Sequence, residues 1–111
     1  HGVPREADIV MDVRFLQNPH WVKTLKSKTG LDKKVGDYIK KDPVWKDFLG
    51  NFQSLLKPLL PRYAQEGKSY LTIAVGCSGG RHRSVFTVRE LGAWLKAMGH
   101  TAHVEHRDLD Q

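Results

Sequence analysis

Apolar positions recur along the chain in two periods, and the switches between them mark out the elements. Ile9, Val10, Met11 and Val13, bounded by Asp8 and Asp12, predict a short first strand. Pro19 disfavours helix at Asn18, so residues 17–21 read as a loop leaving that strand. Residues 23–30 are polar and basic without a clean period and also read as loop. Asp32 predicts the N-cap of a short helix with Val35, Tyr38 and Ile39 on one side. Asp42-Pro43 marks a second helix start, a capping carboxylate followed by a proline whose missing N–H is not needed there. Trp45, Phe48, Leu49, Phe52, Leu55, Leu56, Leu59, Leu60 and Tyr63 then follow at helical spacing, a stripe that reads as core. Pro58 and Pro61 are expected to kink or end this helix.

Gly67 punctuates, and the period changes. Residues 71–75 (Leu-Thr-Ile-Ala-Val) are apolar and β-branched and predict a central strand that stops at glycines. Val85, Val88, Leu91, Leu95 and Met98 predict a helix closing at Gly99. Residues 101–105 alternate as a last short strand would. Strand, helix and strand in this order make a βαβ unit with an expected right-handed crossover. With no internal repeat and no linker, residues 1–111 predict one three-layer α/β domain around a small, mostly parallel sheet.

Composition narrows the function classes. The 111 residues suffice for one domain with its own core. No apolar stretch approaches the roughly 20 residues of a membrane span, so no membrane partner is expected. No secretion signal is visible, and a lone Cys77 cannot form an internal disulfide, which fits a cytoplasmic setting. The chain opens at His1 rather than Met, as a processed form or an excised domain would. A net charge of +6 points to an anionic partner: nucleic acid, nucleotide or sugar phosphate.

The candidate chemistry sits at the turn after the central strand, Cys77-Ser78-Gly79-Gly80-Arg81-His82-Arg83-Ser84. A strand, a glycine-rich turn and a helix in that order form an anion cradle. The first helical amides and the positive end of the helix dipole face one spot, and the glycines allow close approach. Ligands of open α/β sheets gather outside the carboxyl ends of the strands, so Arg14, Asn18 and His20 face the same side as this loop if the first and central strands are parallel neighbours. The loop also has the form C-x5-R-S, the spacing of cysteine-dependent phosphatases, and Cys77 beside two arginines at a helix start could act as a thiolate. Such catalysis needs a leaving-group acid, for which Asp108 and Asp110, in a tail without evident order, are the late candidates. Gly76 stands where most such phosphatases carry His. Non-catalytic anion binding is the leading reading. The plainer roles are a buried strand end for Cys77, an ion pair to Glu90 for Arg83, and an idle helix-start histidine at position 82. The G-x4-G-K-[ST] spacing of nucleotide-triphosphatase loops is absent.

No metal is expected: the histidines are scattered, and His103 and His106 would point to opposite faces of a strand. Lys23, Lys26, Lys28, Lys33 and Lys34, followed by Lys40, Lys41 and Lys46, crowd one stretch and are candidate RNA contacts. A merely solvated lysine face is the equal alternative, because no RNP sheet or KH loop is visible.

Several motifs, taken together, resemble one family. They are His1-Gly2-Val3-Pro4, residues 12–21 (Asp-Val-Arg-Phe-Leu-x-Asn-Pro-His-Trp), Thr29-Gly30-Leu31-Asp32, Ser69-Tyr70-Leu71-Thr72 and the loop through Val85. In this order they resemble the C-terminal domain of the RapZ/YvcJ family, the RNase adapter proteins of enteric bacteria. The resemblance implies a phosphofructokinase-like α/β domain that binds glucosamine-6-phosphate or a related nucleotide sugar, and small RNA. It also implies an N-terminal nucleotide-binding P-loop domain beyond this chain, so ATP or GTP belongs there and this domain needs no cofactor. In the enteric protein the pair couples amino-sugar supply to cleavage of a small RNA by an endoribonuclease. The resemblance implies a sugar-phosphate site of His20, Tyr70, Cys77, Gly79, Gly80, His82, Arg83 and Ser84, with Arg14 and Asn18 as neighbours; Ser78 and Arg81 are candidates from the loop itself. A second copy of the chain is a further candidate partner. The basic tail of enteric members is replaced here by residues 105–111 (Glu-His-Arg-Asp-Leu-Asp-Gln), which does not carry over the tail's RNA role.

Overall fold

A computed structural model describes residues 7–66, 71–100 and 102–108. Three strands, β1 (Ile9–Asp12), β2 (Leu71–Cys77) and β3 (Ala102–Asp108), pair in the order β1-β2-β3, and both pairings are parallel. Three helices connect them: α1 (Lys33–Lys40) and α2 (Pro43–Gln65) lie between β1 and β2, and α3 (Arg83–Ala97) lies between β2 and β3. The expected single α/β domain with a parallel sheet is what the chain forms.

Register sorts the strand residues by face. Ile9, Ile73 and Val104 stand side by side, as do Met11, Val75 and His106. Leu71, Ile73, Val75 and Cys77 on this face join one contiguous core with Val35 and Ile39 of α1, Trp45, Phe52, Leu56 and Leu60 of α2, and Phe86, Leu91 and Leu95 of α3. The opposite face pairs Val10 with Ala74 and Glu105, and Asp12 with Gly76 and Arg107. There Val10 is half exposed, and Glu105 reaches His103 and Arg107 at 3.3 and 3.9 Å.

The helix starts obey the capping chemistry read from the sequence. Asp32 accepts from the Lys34 amide at 2.9 Å and Asp42 from the Val44 amide at 3.0 Å. Asp42 is itself buried and also accepts from the Gln17 amide at 3.0 Å, so the cap of α2 ties down the loop after β1. Phe15 from the same loop meets Phe48 edge-on, with centroids 5.1 Å apart.

Four expectations are corrected. Neither Pro58 nor Pro61 ends α2, which runs through both to Gln65. Both prolines are exposed, as are Ser54 and Lys57 four residues before them, so the carbonyls they orphan face water rather than the core. Leu55, placed in the apolar stripe, is half exposed. In α3 the buried stripe is Phe86, Thr87, Leu91 and Leu95, whereas Met98 is exposed near the helix end. The last strand is longer than expected, so Asp108 belongs to ordered β-structure rather than to a tail. Thr101, Gly67, Tyr70, Asp110 and His1-Gly2-Val3-Pro4 lie outside the described residues.

Candidate functional site

At the carboxyl end of the sheet β2 runs directly into a single 3-10 turn, Ser78–Gly80, and then into α3. Gly79 takes φ +82°, a left-handed conformation that costs an ordinary residue about 1–2 kcal/mol and glycine almost nothing. On the neighbouring strand, β1 ends in a loop whose Pro19–Trp21 3-10 turn is capped by Asn18, its side chain accepting from the His20 amide at 3.0 Å. The two turns face each other across a pocket of about 350 Å³ lined by Asn18, His20, Ser78, Gly79, Arg81 and His82. Parallel pairing of β1 with β2 is what brings residues 18–20 to residues 78–82.

The remaining loop residues have other tasks. Arg83 is buried, and its Nη1 donates to the carbonyls of Arg14 (2.7 Å) and Leu16 (3.1 Å). Its side chain therefore holds the β1 loop in place rather than lining the pocket, and no ion pair to Glu90 forms. Cys77 is fully buried. Its Sγ–H donates to Ser84 Oγ at 3.2 Å, and the Ser84 amide donates back to Sγ at 3.3 Å. That reciprocal pair closes the strand end onto the first turn of α3. Arg14 turns to Asp12, donating from Nε at 3.0 Å and from Nη2 at 2.7 Å. The Arg14 hydrogen bonds, with a smaller contribution from the Arg83 charge, hold the Asp12 carboxyl below its ordinary range despite the opposing effect of burial.

His82 lies at the N-cap of α3 without capping it. The ring is buried, and its Nε2 stands 3.2 Å from the Leu25 carbonyl. A carbonyl only accepts, so Nε2 is the nitrogen that donates in this bond. Desolvation lowers the His82 pKa below its ordinary 6.5, with the nearby charges of Arg81 and His20 pushing the same way and carbonyl hydrogen bonds opposing. The folded state thus resists a proton that the unfolded chain accepts. Stability from this group is full above about pH 6.5 and is lost as pH falls below it. Denaturant midpoints are expected to decline as pH falls below about 6.5, and His82→Gln, which keeps an N–H for Leu25, should flatten that decline.

The lysines form an exposed group. Lys23, Lys26, Lys33 and Lys34 are exposed and Lys28 is half-buried. Lys28 pairs with Asp32, the N-cap of α1, at 3.7 Å, and Lys33 with Asp37 one turn along α1 at 3.0 Å.

Two contributors escape sequence reasoning. Gly30 donates its amide to the Arg81 carbonyl at 2.9 Å and lies so close to α3 that a Cβ would meet His82 O at 2.4 Å and Phe86 N at 2.5 Å. The Asp108 carboxylate accepts from the Gly79 amide at 3.0 Å. The Thr-Gly-Leu-Asp motif signals the glycine without its reason, and the sequence offers Asp108 only as an acid.

Fold and site together define a parallel α/β domain with a polar, partly basic pocket at the carboxyl end of its strands. Comparison with known proteins makes the assignment specific. The family model described as the RapZ C-terminal domain matches residues 1–110, and the chain belongs to that family. It is 59% identical over 111 residues to a nucleotide-binding protein of Rhodospirillum centenum, covering all of this chain and 33% of that protein. It is 54% identical over 110 residues to one of Geobacter sulfurreducens, covering 99% of this chain and 39% of that protein. The chain therefore spans little more than a third of the length of such relatives.

Proposed function

We propose that this domain binds the phosphoryl group of an amino-sugar phosphate, of the glucosamine-6-phosphate class, and reports its presence without transforming it. The observation that carries this reading is the pocket lined by Asn18, His20, Ser78, Gly79, Arg81 and His82. It joins loop amides, an exposed guanidinium and two imidazoles at the carboxyl edge of a parallel sheet, where anions collect. A purely regulatory role is favoured over the phosphatase alternative by the state of the thiol. Cys77 is fully buried, bonded to Ser84 and absent from the pocket lining, whereas a nucleophile must reach phosphorus.

In the longer protein the domain works beside an N-terminal domain that takes ATP or GTP, consistent with a relative named as a nucleotide-binding protein of about three times this length. There it presents small RNA to an endoribonuclease in the cytoplasm. The exposed lysines around Lys23, Lys26 and Lys34 support the RNA part through charge.

Titration calorimetry with glucosamine-6-phosphate tests the central claim. Wild type should bind. Arg81→Ala should lose at least tenfold in affinity with the fold intact, because a charge-assisted partner is removed from the phosphoryl group. No heat from folded wild-type protein removes the sensing reading, and hydrolysis of an aryl phosphate abolished by Cys77→Ser would replace it with catalysis.

A further inference from the structure

The loop that faces the pocket already holds an anion of the protein's own. Asp108 is the last residue of β3 and stands opposite Cys77 in the parallel register. Its carboxylate reaches past the strand end and takes the Gly79 amide at 3.0 Å, on a residue that also lines the pocket. A backbone N–H held by a carboxylate is a charge-assisted bond, roughly twice as strong as a neutral one.

We propose that Asp108 is the specificity-determining residue of the pocket, an internal competitor that decides which anions the Gly79 loop admits. This rests on the reading of the pocket as a phosphoryl site. The carboxylate and a phosphoryl oxygen compete for one donor, and their charges repel at close range, so an incoming anion must release Asp108 from Gly79. A monocarboxylate offers no more than the group it displaces and is turned away. A phosphoryl group brings a second charge and further oxygens, which can engage the Arg81 guanidinium and the Ser78 hydroxyl while one oxygen takes the Gly79 amide. Selectivity for phosphoryl ligands over weak monoanions thus comes from competition rather than from pocket shape.

Two substitutions separate competition from loop support. Asp108→Asn keeps an acceptor for Gly79 and removes the charge; Asp108→Ala removes both. The 111-residue chain and both variants are titrated with inorganic phosphate, alone and against excess acetate, while the Gly79 amide is followed by nuclear magnetic resonance. Both variants should bind phosphate about tenfold more tightly than wild type, the order expected for removing one nearby opposing charge. Acetate should compete in the variants and not in wild type, and the Gly79 amide proton should shift upfield in ligand-free Asp108→Ala and return with phosphate. Phosphate affinity unchanged or weakened in both folded variants overturns the proposal, because the carboxylate then supports the loop. If phosphate binds to none of the three proteins while the Gly79 resonance still responds to the substitution, the phosphoryl reading of the pocket fails, and the proposal with it.

Discussion

Gly30→Ala is expected to cost the domain about 3 kcal/mol and to lower its Tm by roughly 15 °C. The methyl group would stand 2.4 Å from His82 O and 2.5 Å from Phe86 N, and both are backbone atoms of the first turn of α3 that cannot rotate away. Relief requires α3 to move off the 29–31 segment, which breaks the Gly30 amide bond to Arg81 O and disturbs the seat of Phe86 against Trp45, centroids 4.9 Å apart. Gly36 gives the internal contrast. A Cβ there would approach the Phe86 ring at 2.8 Å, a side chain that can tilt, so Gly36→Ala should cost less than half as much. Chemical denaturation of the two variants checks the ranking. A Gly30→Ala loss below about 1 kcal/mol would show that the turn yields more readily than its backbone contacts indicate.

Arg83→Ala is the second large effect, about 3 kcal/mol of stability together with most of the ligand affinity. The guanidinium is buried and satisfies the carbonyls of Arg14 and Leu16, so truncation leaves two acceptors and a cavity inside the site. Those carbonyls belong to the loop that carries Asn18 and His20 to the pocket. The expected signature is a joint loss: thermal stability and affinity fall together in Arg83→Ala, whereas Arg81→Ala loses affinity with little change in stability. Full affinity in a destabilised Arg83→Ala would mean that the β1 loop keeps its position through Asp42 and Phe15 alone.

The contrast between Arg81 and Arg83 also marks how far residue type and spacing carry. Strand, turn and helix around residues 71–99 are legible because each is local: β-branched residues, then glycines, then helical spacing. The caps at Asp32 and Asp42 are legible for the same reason. The pocket residues Asn18, His20, Ser78, Gly79, Arg81 and His82 could be nominated because parallel α/β topology sends strand ends to one side. Arg83, Cys77 and Ser84 have equal grounds in the sequence, yet their partners are a carbonyl pair on another loop and one another. Side-chain direction at a helix start is decided by what is buried beneath it, which composition does not encode. Gly30 is less legible still, because its need for a bare Cα is set by backbone atoms of His82 and Phe86. The passage of α2 through Pro58 and Pro61 follows from which face of the helix meets water, a tertiary fact overriding a sound local rule.

The all-parallel order of the sheet has a consequence for how the protein is born. Among the described residues β1 pairs only with β2, and the chain must complete α1 and α2 before residues 73–76 exist to receive residues 9–12. At synthesis rates of about 5–20 residues per second, the first strand waits roughly 3–13 seconds for its neighbour. Throughout that interval Ile9, Val10 and Met11 form an unpaired apolar edge, and the loop bearing Asn18 and His20 has nothing to face. The half of the pocket that is made first must wait for the half that is made last.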